Sequence, residues 1–184
     1  MKNRPNGFTL IELLVVLAIV GILVAMAIPS FNSLLMRRSV QAAAQALVTD
    51  IRYARSEALR RSVRVTICSL AAGSNNTCSG SPAAWANGWI VFVDSNSAGT
   101  SNFRDAGEEI VRVQQPPENI LSIERALNPV NTLNFFTFEA NGVAKVANET
   151  LVVKPISSSS TTNDRVVCTS ITGRPSIGSE GLGC

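Results

Sequence analysis

Three hydropathy textures follow one another along this chain, and each predicts a different kind of element. Residues 13–28 hold no charged side chain, and with Phe8, Leu10 and Ile11 ahead of them they extend an apolar segment to 21 residues, 8–28. A helix of that length rises roughly 30 Å, enough to cross the hydrocarbon core of a bilayer. From Val40 the apolar positions thin to Val40, Ala43, Ala44, Leu47, Ile51, Ala54 and Ala58, at three- and four-residue spacing. That stripe predicts one buried face of an amphipathic helix, with Arg37, Arg38, Gln41, Gln45, Arg52 and Arg55 mainly off it. The two segments join into one helix from about residue 8 to about residue 60, roughly 80 Å long. Pro29 interrupts it: without an N–H, and with its ring against the carbonyl four residues earlier, it should kink or locally melt the helix near 21–25.

Past residue 61 the period changes. Short β-branched or alternating runs at 63–69, 89–94, 109–113, 119–124, 132–138, 150–154 and 165–171 are separated by Gly, Asn, Ser and Pro clusters. They predict antiparallel strands packed on the second half of the long helix, an α+β fold. About 155 residues follow the apolar segment, a usual size for one compact domain. The tract 157–163, SSSSTTN, is of low complexity and reads as a loop between strands.

Charge orients the chain. Lys2 and Arg4 lie on the short N-terminal side, which keeps that side cytoplasmic and sends everything after residue 30 outward. All four cysteines, Cys68, Cys78, Cys168 and Cys184, then fall in an oxidising compartment. The net charge of +3 hides an asymmetry. Residues 37–64 carry seven arginines against Asp50 and Glu57, whereas residues 65–184 carry seven basic and ten acidic groups.

Glu12 is the acid that the apolar segment has to explain. A carboxylate inside a membrane costs roughly 2.5–3.5 kcal/mol, so it needs a cationic partner. A plain signal anchor gives it none. A secretory signal peptide cut after Ala25-Met26-Ala27 gives it none either, and a buried core helix explains the run of 13–28 but not the acid. A cut after Gly7 supplies one, because it frees the amine of Phe8 four residues before Glu12. At Gly7-Phe8-Thr9-Leu10-Ile11-Glu12 the chain resembles the type IV pilin and type II secretion pseudopilin superfamily. The resemblance implies that a prepilin peptidase cleaves between Gly7 and Phe8 and methylates the Phe8 amine. It also implies that Glu12 sets assembly and register, and that the helix unwinds near Pro29 when the subunit enters a filament.

Later residues narrow the resemblance. Tyr53-Ala54-Arg55-Ser56-Glu57-Ala58, Trp85-x-x-Gly88-Trp89 leading into Val91-Phe92-Val93-Asp94, the Asp105-x-Gly107-Glu108 turn and Cys168-x-Ser170-x-x-Gly173-Arg174 are similar to the GspH/FimT group of minor pseudopilins. The implied organisation is a cleaved cytoplasmic leader (1–7), a transmembrane and filament-core helix (8–28), an amphipathic helix half (29–61) and a periplasmic antiparallel β domain (62–184). The implied function is a structural subunit of a type II secretion pseudopilus, near its tip. The alternatives are a minor pilin of a type IV pilus, serving assembly, twitching or DNA uptake, and a membrane-anchored periplasmic module that never polymerises. Partners implied are the prepilin peptidase, other major and minor pilins, the inner-membrane assembly platform and inner-membrane lipid. In some members a Gly-Arg-x-Arg motif contacts DNA; here the string is Gly173-Arg174-Pro175-Ser176, which leaves Arg174 alone as a DNA contact.

Other chemistry is thinly represented. Four cysteines allow three pairings; a local Cys68–Cys78 bridge would close a polar loop, and Cys168–Cys184 would tie down a glycine-rich chain end. The chain has no histidine and no CxxC spacing, which argues against zinc and removes the commonest general base. No cofactor or enzymatic activity is expected. Asp94, Asp105, Glu108 and Glu109 cluster in sequence, and Asp94, Asn96 and Gly99 faintly follow an EF-hand that lacks its closing glutamate, so turn-forming acids are the better reading. Trp85 and Trp89 flank Asn87-Gly88, a tight turn leading into a buried strand. The arginines at 37, 38, 52, 55, 60, 61 and 64 have only Tyr53 as an aromatic among them, a pattern closer to a solvated face beside anionic lipid or acidic neighbours than to a nucleic-acid surface.

Overall fold

The structure is a computed structural model that describes residues 8–95, 103–125, 135–145, 149–156, 164–170 and 172–179. The leader, the 157–163 tract, Asn96, Gly99 and Cys184 lie outside the described residues. Helix α1 (Leu10–Arg61) is followed by eight strands: β1 (Val65–Ser69), β2 (Trp89–Val93), β3 (Ile110–Gln114), β4 (Ile120–Arg125), β5 (Phe135–Phe138), β6 (Glu149–Pro155), β7 (Arg165–Thr169) and β8 (Pro175–Ser179). A short 3-10 turn, Ala84–Asn87, precedes β2. The chain divides into two units, Met1–Leu35 and Met36–Cys184.

In the first unit α1 is apolar all round. Its large side chains from Leu10 to Val24 are exposed, none below the 47 % of Val20. A helix of that kind is stable only where something apolar surrounds it. Among the described residues no helix is long and apolar enough to cross a membrane; residues 10–25, whose side chains are described, number 16, short of the roughly 20 that a bilayer core requires. The helix is continuous through 21–25 and Pro29 in this single chain.

The second unit is built on the stripe. Val40, Ala43, Ala44, Leu47, Ile51, Ala54 and Ala58 are all buried, as their spacing predicts, and Val48 joins them. Two four-stranded antiparallel sheets, ordered β3-β2-β1-β5 and β4-β6-β7-β8, contribute to the same core. Ile67, Val91 and Phe136 come from the first sheet, and Ile123, Leu151, Val153 and Val167 from the second. Ala43, Ala44, Ala54 and Ala58 of α1 share this core with Trp85 and Trp89, whose rings lie 6.4 Å apart. Burying a large side chain of this sort contributes about 1.5–3 kcal/mol.

Strand β1 is buried on both faces because its outer side is also covered. Cys68, Leu70, Ile90 and Phe92 form a second cluster, against which Cys78 and Phe135 pack. A Cys68–Cys78 disulfide, 10 residues apart in sequence, pins the intervening loop there. Closing a loop of that length contributes about 3 kcal/mol in the chain-entropy model. Cys168 is also disulfide-bonded.

The strand boundaries shift for local reasons. Ser62 adopts φ 55° and turns the chain out of α1, so β1 starts at 65 rather than 63. Asn119 at φ 60° likewise delays β4 to residue 120. β7 ends at Thr169 because Ser170 opens a turn to Arg174, and that turn leads into β8, which the hydropathy pattern does not mark.

Candidate functional site

The N-terminal site begins where α1 begins. Thr9 accepts a hydrogen bond on Oγ1 from the Glu12 N–H at 3.3 Å, and its carbonyl accepts the Leu13 N–H at 3.2 Å. Thr9-x-x-Glu12 is thus the start of a capping box, a signal that was present in the sequence. Glu12 lies in the first turn, where the partial positive charge of the helix end favours a carboxylate by about 0.3–1 kcal/mol. That is smaller than the cost of carrying the charge into an apolar phase. Phe8, 83 % exposed, stands one residue ahead of the cap, so its amide is free of the helix ladder. Gly7, on the other side of the expected cut, lies outside the described residues. The side chain of Pro29 is likewise not described.

On the β side of α1 the charges are mostly spoken for. Glu57, buried at the end of α1, accepts from Arg60 Nη2 at 2.6 Å and from Arg61 Nε at 2.7 Å. The Arg60 hydrogen bond, with Arg61 beside it, holds the Glu57 carboxyl below its ordinary range. Arg61 reaches Glu109 through Nη1 at 2.6 Å, and Arg64 faces Glu139 at 3.4 Å and buried Asp94 at 3.8 Å. Arg61 and Arg64 therefore tie the end of α1 to the β domain, while Arg60 is paired within the helix itself.

Asp50 interrupts the apolar stripe, and its charge count alone gave no hint of its place. It is 1 % exposed, accepts the Trp89 indole N–H at 2.8 Å, and pairs with Arg112 Nε at 2.9 Å. Burial pushes its carboxyl up, opposed by the Trp89 bond and the Arg112 charge. Arg112 also lies over the Tyr53 ring, 5.5 Å from its centre. The group fixes the register of α1 on β2 and β3. The signal was a carboxylate three residues after Leu47 and one before Ile51, on the buried face.

The acid cluster at 94–109 is organised by backbone donors. Glu108 accepts the Ser95 N–H and the Asp105 N–H, both at 2.9 Å, while Asp94 accepts from Thr66 Oγ1 at 3.0 Å. With those oxygens committed, the cluster closes a loop, in line with turn-forming acids. Among the described residues no group of three or more side chains could hold a metal ion. Arg174 sits apart from all of these, at a cleft shared with Arg52 and Arg55 of α1.

Two family models match the chain: Type II transport protein GspH over residues 43–173, and the prokaryotic N-terminal methylation motif over residues 2–28. The pilin-like protein PilA1 of Thermus thermophilus is 35% identical over 104 residues, 56% of each chain. The type IV major fimbrial protein FimA of Dichelobacter nodosus is 55% identical over 40 residues, 22% of this chain and 25% of its own. The chain thus spans about half the length of the first of these relatives and a quarter of the second. The type IV minor pilin FimU of Pseudomonas aeruginosa superposes with a TM-score of 0.56 at 20% identity, covering 80% of this chain and 94% of that one. At that identity the likeness is one of fold, a long N-terminal helix on antiparallel sheets.

Proposed function

The chain belongs to the GspH family of pilin-like proteins, and on that premise we propose that it is a non-enzymatic minor pseudopilin of a type II secretion pseudopilus, placed near the filament tip. The observation that carries this reading is the succession along one chain of a methylation motif at 2–28 and a GspH match at 43–173, both of which overlap helix α1 (Leu10–Arg61). In this account a prepilin peptidase cuts Gly7–Phe8 and methylates the Phe8 amine. The apolar segment 8–28 holds the subunit in the bacterial inner membrane, with its N-terminus cytoplasmic and its β domain periplasmic. The large apolar side chains exposed on α1 from Leu10 to Val24 support a partner that is first lipid and then the helices of other pilins. During assembly the inner-membrane platform transfers the helix from one apolar phase to the other, and Pro29 is the joint at which it unwinds.

Glu12 neutralises the Phe8 amine of an adjacent subunit in the low-dielectric filament core and so sets axial register. The second disulfide is Cys168–Cys184, which anchors the chain end to β7. The name of the matched family supports the secretion role; the relatives named as pilins support the alternative, a minor pilin of a type IV pilus. Deleting the gene separates the two. Loss of exoprotein release with twitching and transformation intact is the expected result, and the reverse pattern transfers the protein to the pilus.

A further inference from the structure

We propose that the cleft between α1 and the turn before β8 is a carboxylate site, into which an acidic side chain of a neighbouring filament subunit docks. The proposal rests on the filament reading and names the chemistry of one contact within it. The cleft, about 310 Å³, is lined by Arg52, Arg55, Ser56, Leu59, Arg174 and Pro175. Arg52 is spaced three and four residues from Arg55 and Ser56, and these are spaced four and three from Leu59, so the four share a face of α1. Arg174 enters from the opposite wall on a braced turn. The Ser170 N–H donates to the Arg174 carbonyl at 3.0 Å, and the Arg174 N–H donates to Ser170 Oγ at 3.1 Å. Gly173 at φ 73° brings the turn so close to the β domain that an added Cβ would meet Phe138 at 2.8 Å.

Three arginines thus line one cleft, and none of the lining residues is acidic. Arg60 and Arg61, further along the same helix, and Arg64, just past its end, each face a carboxylate of their own chain. In the cleft the situation differs. Arg52 donates to a backbone carbonyl, that of Pro175, at 3.3 Å, and the buried Arg55 Nε has no hydrogen-bond partner among the described residues. An N–H held out of water in a cluster of like charges fits an anionic acceptor.

The walls choose the kind of anion. Leu59, half exposed, and Pro175 give the cleft an apolar side, and the Ser56 hydroxyl is already donated to the Tyr53 carbonyl. A glutamate or aspartate side chain, methylene stem and carboxylate together, matches that mixture. A nucleic-acid strand would want a track of free cations and an aromatic platform; the next three arginines are paired and no aromatic lines the cleft. The acceptor is to hand in a filament of related subunits, since residues 65–184 carry ten acids against seven bases. One subunit's acidic β domain meets the arginine face of the next.

The test uses the full chain in detergent micelles, titrated with the peptide acetyl-Leu-Glu-Leu-amide and followed by the Arg55 Nε–H nitrogen-15 resonance. Saturable shifts are expected, at least tenfold weaker with the glutamine peptide and in Arg174→Ala. Equal response to both peptides, or a 20-base-pair duplex that binds more tightly than the peptide and loses affinity in Arg174→Ala, overturns the proposal. In cells, the Arg55→Glu/Arg174→Glu variant should be processed and disulfide-bonded but enter filaments at least tenfold less than the wild type. Normal entry of that variant alongside wild type refutes the cleft and spares the filament reading, whereas a wild-type chain found in no filament refutes both.

Discussion

Glu12→Ala should be cleaved and methylated normally, remain in the membrane, and yet co-assemble at least tenfold less than the wild type. The variant keeps its helix start, because the cap is made by the backbone N–H of residue 12 on Thr9 Oγ1, which alanine also provides. What it loses within its own chain is a favourable interaction with the helix end of about 0.3–1 kcal/mol. What it loses between chains is larger. A carboxylate and an ammonium 4 Å apart attract by about 4 kcal/mol at an effective dielectric of 20, and each 1.4 kcal/mol is about a factor of ten in an equilibrium constant. The defect should therefore appear in assembly rather than in folding. Immunoblots of sheared filaments against membrane fractions measure it, and wild-type incorporation of Glu12→Ala would remove the role assigned to this residue.

Gly88→Ala should be the most damaging small substitution in the β domain. Gly88 sits at φ 93°, ψ −175°, a region open essentially to glycine alone, and a Cβ there would lie 2.2 Å from the Gln114 carbonyl oxygen. That carbonyl cannot retreat without breaking the Trp89–Gln114 pairing of β2 with β3, nor can Gly88 move without losing the Leu70 N–H bond to its own carbonyl at 2.9 Å. Backbone strain of this kind costs about 1–3 kcal/mol before the clash is added. A loss of at least about 3 kcal/mol lowers the melting temperature of a domain this size by about 6–12 °C. Circular dichroism melts of the two chains give the comparison, and a shift under about 2 °C would show that the turn is not the constraint described.

Local periodicity made much of the fold legible. The seven stripe residues of α1 are all buried, Trp85 and Trp89 are core, and seven of the eight strands overlap the predicted runs to within a residue or two, because each of these depends on a repeat visible over a few residues. β8 escaped because Pro175-Ser-Ile-Gly-Ser carries loop residues; it is an edge strand, where a leading proline costs no ladder bond. The division into two sheets was hidden for another reason. β1 lies between β2 and β5, and β6 between β4 and β7, pairings that join distant segments. The same distance concealed the charge network. Arg60 could be matched to Glu57 by helical spacing, but the partners of Arg61 and Arg64 at Glu109, Asp94 and Glu139 are set by the sheets. Arg174 looked like a lone cation until β8 placed it opposite Arg52 and Arg55.

Glu12 requires a cation, and a cut after Gly7 creates one at the Phe8 amine. Mass spectrometry of the protein recovered from its native membrane decides whether that cut is made. A chain beginning at Phe8 and carrying a methyl group on the N-terminal amine is the predicted species. An intact Met1, or an N-terminus at Ile28, would contradict it and return the protein to an anchored or secreted module that never polymerises.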